Sequence, residues 1–204
     1  MKASFRMRAT AITLLILTSP ATVSAQADFT ARGGVSWSTT LVEDEIAASG
    51  PITVEAGLAP TLVLGASLPA TTTNRVSLEL AFARSDATVA DESGEHDLTT
   101  LGTVGVSLGF DGPLASSVRW RAGLGALKYL PTEEVGVFRE GGPWRWMAGA
   151  GVDWARKLSE SLDLVAAIRY DYHRFTTDAL EAQGFANPEG VHRVALTVGI
   201  GGRP

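Results

Sequence analysis

The chain has 204 residues, a formal net charge of −5 and no cysteine. Without cysteine there is no disulfide scaffold, no Cys-based metal site and no lipoprotein-type anchor. The acidic balance, with Lys128 and Lys157 the only lysines beyond residue 27, argues against a nucleic-acid partner.

Chain order begins with an export signal. Lys2, Arg6 and Arg8 precede the apolar run Ala11-Ile-Thr-Leu-Leu-Ile-Leu17, which Pro20 ends. Val23-Ser24-Ala25 and Ala25-Gln26-Ala27 both fit small-x-small cleavage. This layout predicts a secretory signal peptide over residues 1–27 and a mature domain over 28–204. The apolar run is too short to be a membrane anchor, since a spanning helix needs roughly 20 residues. Cleavage would remove three of the 17 basic residues and no acidic one, taking the net charge to −8.

The mature chain then alternates with period two, the pattern of strands with two unlike faces. Phe29, Ala31, Gly33, Val35 and Trp37 share one face of the first strand, opposite Thr30, Arg32, Gly34, Ser36 and Ser38. Val54, Ala56, Leu58, Leu62, Leu64 and Leu68 mark the second strand, and Val76, Leu78, Leu80 and Phe82 the third. Leu98, Val104, Val106, Leu108 and Phe110 mark the fourth, and Val118, Trp120, Ala122, Leu124 and Ala126 the fifth. Trp144, Trp146, Ala148, Ala150, Val152 and Trp154 form the sixth. Leu162, Leu164, Ala166, Ile168, Tyr170 and Tyr172 form the seventh, and His192, Val194, Leu196, Val198 and Ile200 the eighth. Soluble strands cluster near 5 to 6 residues, and a tilted membrane-spanning strand needs about 9 to 11. These runs match the longer class.

Long polar links (Leu41–Pro51, Asp86–Asp97, Pro131–Pro143, Thr176–Gly190) alternate with short ones (Pro69–Asn74, Asp111–Ser117, Arg156–Ser161). Outer-membrane barrels pair long external loops with short periplasmic turns. The polar face is mostly Gly, Ser, Thr and Ala, whereas a water-exposed exterior would carry many Lys and Glu. The apolar face carries aromatic residues towards its ends, as interfacial girdles do. Together these features predict an all-β fold, an eight-stranded antiparallel up-and-down transmembrane β-barrel.

In these patterns, over residues 28 to about 202, the chain resembles the small eight-stranded outer-membrane proteins of the OmpA transmembrane-domain and OmpX type. The resemblance implies an outer-membrane location. Such proteins usually end their last strand on an aromatic residue; this chain ends Val198-Gly-Ile-Gly-Gly-Arg-Pro204.

With the polar face inward, the charges sort into two expected tiers. Arg32, Glu79, Arg119, Arg121, Asp153 and Asp163 fall near the periplasmic end; Glu55, Arg145, Arg169, Asp171, His173 and Arg193 fall near the outer end. Eight strands leave an interior that side chains just fill, and charges there need partners. The expectation is a plugged lumen with two ion-pair layers, Arg121 with Asp153 the favoured pair. The alternatives are a narrow channel or a small-ligand pocket.

The long loops hold 14 of the 22 acidic residues, among them Glu43, Asp91, Glu133 and Asp178. Carboxylates suit Ca²⁺ or Mg²⁺, so divalent cations could bridge these loops to lipid phosphates, although no loop has calcium-loop spacing. His173 is followed two positions on by Phe175, so the His-x-Ser pattern of lipid-modifying barrels is missing. The reading is a non-enzymatic, monomeric outer-membrane protein without cofactor, in contact with outer-membrane lipid. Its role would be envelope integrity or surface interaction through the acidic loops. A small-solute channel, a lipid-modifying enzyme and a soluble periplasmic ligand-binding barrel are the alternatives.

Overall fold

A computed structural model describes residues 27–46, 50–91, 93–182 and 188–202. The signal-peptide segment lies outside the described residues, apart from Ala27. The strands are β1 (Asp28–Ser38), β2 (Val42–Ile46), β3 (Gly50–Ala56), β4 (Ala59–Pro69) and β5 (Arg75–Asp91). They continue with β6 (Gly94–Ala115), β7 (Val118–Pro131), β8 (Trp144–Lys157), β9 (Leu162–Phe175) and β10 (Glu189–Gly202). A 3-10 turn (Gly136–Phe138) follows β7, and a short helix α1 (Asp178–Ala182) follows β9.

The sheet closes on itself. Neighbours run β1-β4-β5-β6-β7-β8-β9-β10 and back to β1, all antiparallel. The closing ladder runs from Phe29 opposite Gly202 to Ser38 opposite Arg193. The eight predicted strands are thus eight staves, with the second built from β3 and β4. Closure removes every sheet edge from the ring, which lipid requires because it offers backbone groups no hydrogen bonds.

That second stave departs from the expected pattern. β4 pairs with both β1 and β5, whereas β3 pairs with β5 and with β2. Gly57 and Leu58 lie between them outside the strands, Gly57 N donating to Asp86 O at 2.9 Å. The interruption inverts parity: Ala59, Thr61 and Val63 are buried along β4, but on β3 it is Val54 that is buried and Glu55 that is exposed. Glu55 therefore does not face the lumen, contrary to expectation. Val54 turns inward against Leu41 and Val42, and burying apolar surface there is favourable where burying an unpaired carboxylate is costly.

Two long loops are themselves sheet. β2 and β3 form a hairpin from Val42–Val54 to Ile46–Gly50. β5 and β6 extend as one hairpin to Asp91–Gly94, with a register shift at Ala87/Thr88. At its tip, Ser93 N donates to Asp91 Oδ1 at 2.8 Å and Gly94 takes φ +120°.

The outward face carries apolar side chains with no protein cover: Leu62, Leu78, Leu108, Leu124, Ile168, Val198 and Ile200 are all well exposed. Water-soluble monomers rarely show so continuous an apolar surface, and a bilayer is what covers it in this architecture. Leu124→Arg on this belt is expected to destabilise the barrel by about 2–4 kcal/mol if the site is near mid-membrane. Urea unfolding of the refolded protein in lipid vesicles measures this; an unchanged midpoint would contradict the assignment of the belt.

Candidate functional site

The barrel interior brings together most of the polar side chains singled out above. Its centre is Glu79 on β5. Its carboxylate accepts from Arg32 on β1, from Arg169 Nη2 on β9 at 2.9 Å, and lies 3.4 Å from Arg121 Nη1 on β7. Asp153 on β8 takes Arg169 Nη1 at 2.7 Å and Arg32 Nη1 at 3.5 Å. Asp111 on β6 lies 3.8 Å from Arg121 and accepts from Ser77 Oγ at 2.5 Å, while Arg121 also donates to Ser77. Three arginines and three carboxylates from six staves thus form one connected cluster. Arg32 is only 2% exposed, so its charge depends on these partners rather than on water.

Backbone clearance shapes the cluster. A Cβ on Gly109 would lie 2.6 Å from Arg121 Cζ, and one on Gly151 would lie 2.8 Å from Arg169 Cδ. Glycine at these two positions lets each arginine lie along the wall. Arg121 therefore turns over Gly109 towards β5 and β6, and the expected Arg121–Asp153 pair is replaced by Arg121 with Glu79 and Asp111. Arg169, expected in the outer tier, reaches into the Glu79 cluster nearer the short-turn end instead. The sequence patterning does not single out Ser77 or Asp111 and places Asp111 in a turn, whereas Asp111 continues β6 and is buried.

The remaining candidates do not form a second ion-pair layer. Arg193 stands opposite Asp171 in register and donates to Ser36 Oγ at 3.4 Å. His173 Nε2 is 2.7 Å from the Tyr129 hydroxyl. Arg145 donates to the carbonyls of Trp144 and Thr176. Arg119 donates to the carbonyls of Thr73 (3.0 Å) and Asp111 (3.3 Å). Asp163 lines the mouth at the short-turn end, where Arg75 pairs with Asp28 at 2.6 Å.

At the long-loop end the interior is apolar, which the two-tier reading missed. Leu101, Leu127, Tyr129, Phe175 and Val191 point inward from the staves, and Leu41, Phe138 and Leu180 reach them from the loops. Phe175 meets Tyr129 edge-on at 5.1 Å and Phe138 at 5.9 Å. Between the two regions lies a cavity of ≈ 50 Å³ bounded by Glu79, Arg169, Asp171 and Arg193, large enough for a few waters. Below the charged cluster a vestibule of ≈ 300 Å³ is lined by Arg32, Arg119, Asp153 and Asp163.

No serine–histidine–acid triad is assembled at the described histidines. His173 and His192 each hydrogen-bond a tyrosine. His96 Nε2 lies 3.0 Å from Ser93 Oγ at the exposed tip of the β5–β6 hairpin, but Asp91 bonds the serine rather than the imidazole. Nothing there orients the ring as a base. Nor do the described residues gather three or more His, Asp or Glu as a metal would require.

Replacing Glu79 by Gln leaves Arg32, Arg121 and Arg169 short of a counter-charge. Breaking a buried pair from one side costs about 3–5 kcal/mol, so Glu79→Gln is expected to lower unfolding stability by that order. Denaturant titration checks it, and a loss below about 1 kcal/mol would mean that water solvates the cluster.

No protein-family model matches the chain, and no curated protein matches it in sequence. Solved structures do. The outer-membrane protein OprG from Pseudomonas aeruginosa superposes with a TM-score of 0.53 at 15% identity, covering 88% of this chain and 97% of that one. The outer-membrane protein AlkL gives 0.52 at 14% identity, with 100% and 97% covered. Neisserial surface protein A gives 0.51 at 14% identity, with 87% and 97% covered. At these identities the likeness speaks to the fold, and the fold is that of the small eight-stranded outer-membrane β-barrels.

Proposed function

We propose that this outer-membrane barrel is non-conducting and non-enzymatic, and that it acts through its outer surface, either by strengthening the envelope or by contact through its acidic loops. The observation that carries this reading is the filling of the lumen by two unlike obstacles in series. The Glu79 cluster crosses the interior from six staves, and the Tyr129–Phe138–Phe175 cluster occupies the outer mouth. An ion would have to displace a paired network and then cross an apolar constriction, each of them unfavourable for a hydrated charge. A cleavable leader over residues 1–27 would account for export, and the chain would work as a monomer.

The second reading is a narrow channel, favoured by the ≈ 300 Å³ vestibule at the periplasmic mouth. Planar-bilayer recording on the refolded protein separates the two. The expected outcome is no steady conductance for the native protein, and none for Phe138→Ala, because the charged cluster remains. A steady conductance of porin size in the native protein would overturn the plugged reading.

A further inference from the structure

The cations of this barrel differ in their partners, and Arg119, Arg145 and Arg193 in its interior meet carbonyls or a hydroxyl. Inside, Arg32, Arg121 and Arg169 are paired with carboxylates. On the outward face at the long-loop end, Lys128 on β7 and Arg174 on β9 have no carboxylate within ion-pair distance among the described residues. Among the described residues Lys128 Nζ meets a carbonyl, Gly142 O at 2.5 Å, and the ring of Trp144, 5.8 Å to its centroid. Arg174 is exposed one position beyond the Met147–His173 pair, on the same outward face as Trp146.

Between those two staves, β8 presents Trp144 at 59% exposure and Trp146 at 85%. On the far side of Arg174, Tyr170 OH lies 2.6 Å from His192 Nδ1. Cations without protein anions, flanked by exposed indoles at a membrane–water boundary, call for an anion supplied from the membrane.

We propose that this face binds a diphosphorylated glycolipid of the outer leaflet. The proposal rests on the outer-membrane placement of the barrel. Lys128 stands opposite Trp144 and Arg174 falls level with Trp146, so the two cations are two staves apart across the sheet and two residues apart along it, about 12 Å at the usual strand spacings, which suits two separate phosphates on one head group better than a single phosphate. The indoles of β8 lie between them and offer flat apolar surface for a sugar ring and the first part of the acyl chains. A phospholipid with one phosphate would satisfy one cation at a time.

Native mass spectrometry of the full mature protein in detergent tests the proposal, with bisphosphoryl lipid A, monophosphoryl lipid A and phosphatidylglycerol as separate probes. The expected order of retention is bisphosphoryl first, with a loss of about tenfold or more in Lys128→Gln/Arg174→Gln, each cation near the surface contributing comparably. Arg156→Gln, exposed at the opposite end of β8, is expected to leave retention unchanged. Equal retention of phosphatidylglycerol and bisphosphoryl lipid A by the native protein would overturn the proposal without recourse to any variant. So would an undiminished preference in a double variant that still shows heat-modifiable mobility. Recovery of the native protein in the soluble periplasm without detergent would instead defeat the outer-membrane placement, a separate readout.

Discussion

Hydrocarbon offers no hydrogen-bond partner to a peptide group, and this constraint organises the molecule. Eight staves satisfy it only as a closed ring, so the β1–β10 ladder is as necessary as any turn-connected pair. Closure fixes the inside and outside of every stave at once. It also makes the parity break at Gly57–Leu58 informative. There the outer part of the second stave leaves β1 and pairs with β5 and β2 instead, and the inward set of residues changes with it.

Closure at eight staves also sets the chemistry of the interior. The lumen is narrow enough that long side chains from opposite walls meet. Glu79 consequently collects arginines from β1, β7 and β9, which are not its neighbours in the sheet. Towards the loops the same narrowness brings Leu127, Tyr129 and Phe175 within reach of Phe138 and Leu180. Small residues such as Gly109 and Gly151 set where an arginine can lie, as much as the carboxylates do.

The alternation of Phe29 to Ser38, the strand lengths and the loop parity all survive in the structure, because each is a local property of one strand. The identities of many inward charges were legible for the same reason, Arg32, Glu79, Arg121 and Asp153 among them. What was not legible depends on several staves together. Side chains as long as Arg169 span several residues of height, so position along a strand did not predict its partner. Glu55 was misplaced because the interruption at Gly57–Leu58 is set by pairing to β5. The apolar mouth at the long-loop end does carry a local signal: Leu127 and Tyr129 share parity with Arg121 and Gly123, so they point inward.

The ring also has an order of assembly written into its connectivity. β5 and β6 are neighbours in sequence and share the longest ladder in the barrel, from Arg75–Asp111 to Asp91–Gly94. Its tip closes over very little chain, so its entropic cost is small. The Phe29–Gly202 end of the seam joins the first and last staves of the ring and gains nothing until nearly every stave is in place. Contacts of such long sequence separation form slowly. The hairpin is therefore suited to nucleate the barrel and the seam to complete it, which leaves the edges of β1 and β10 unpaired until the last step of assembly.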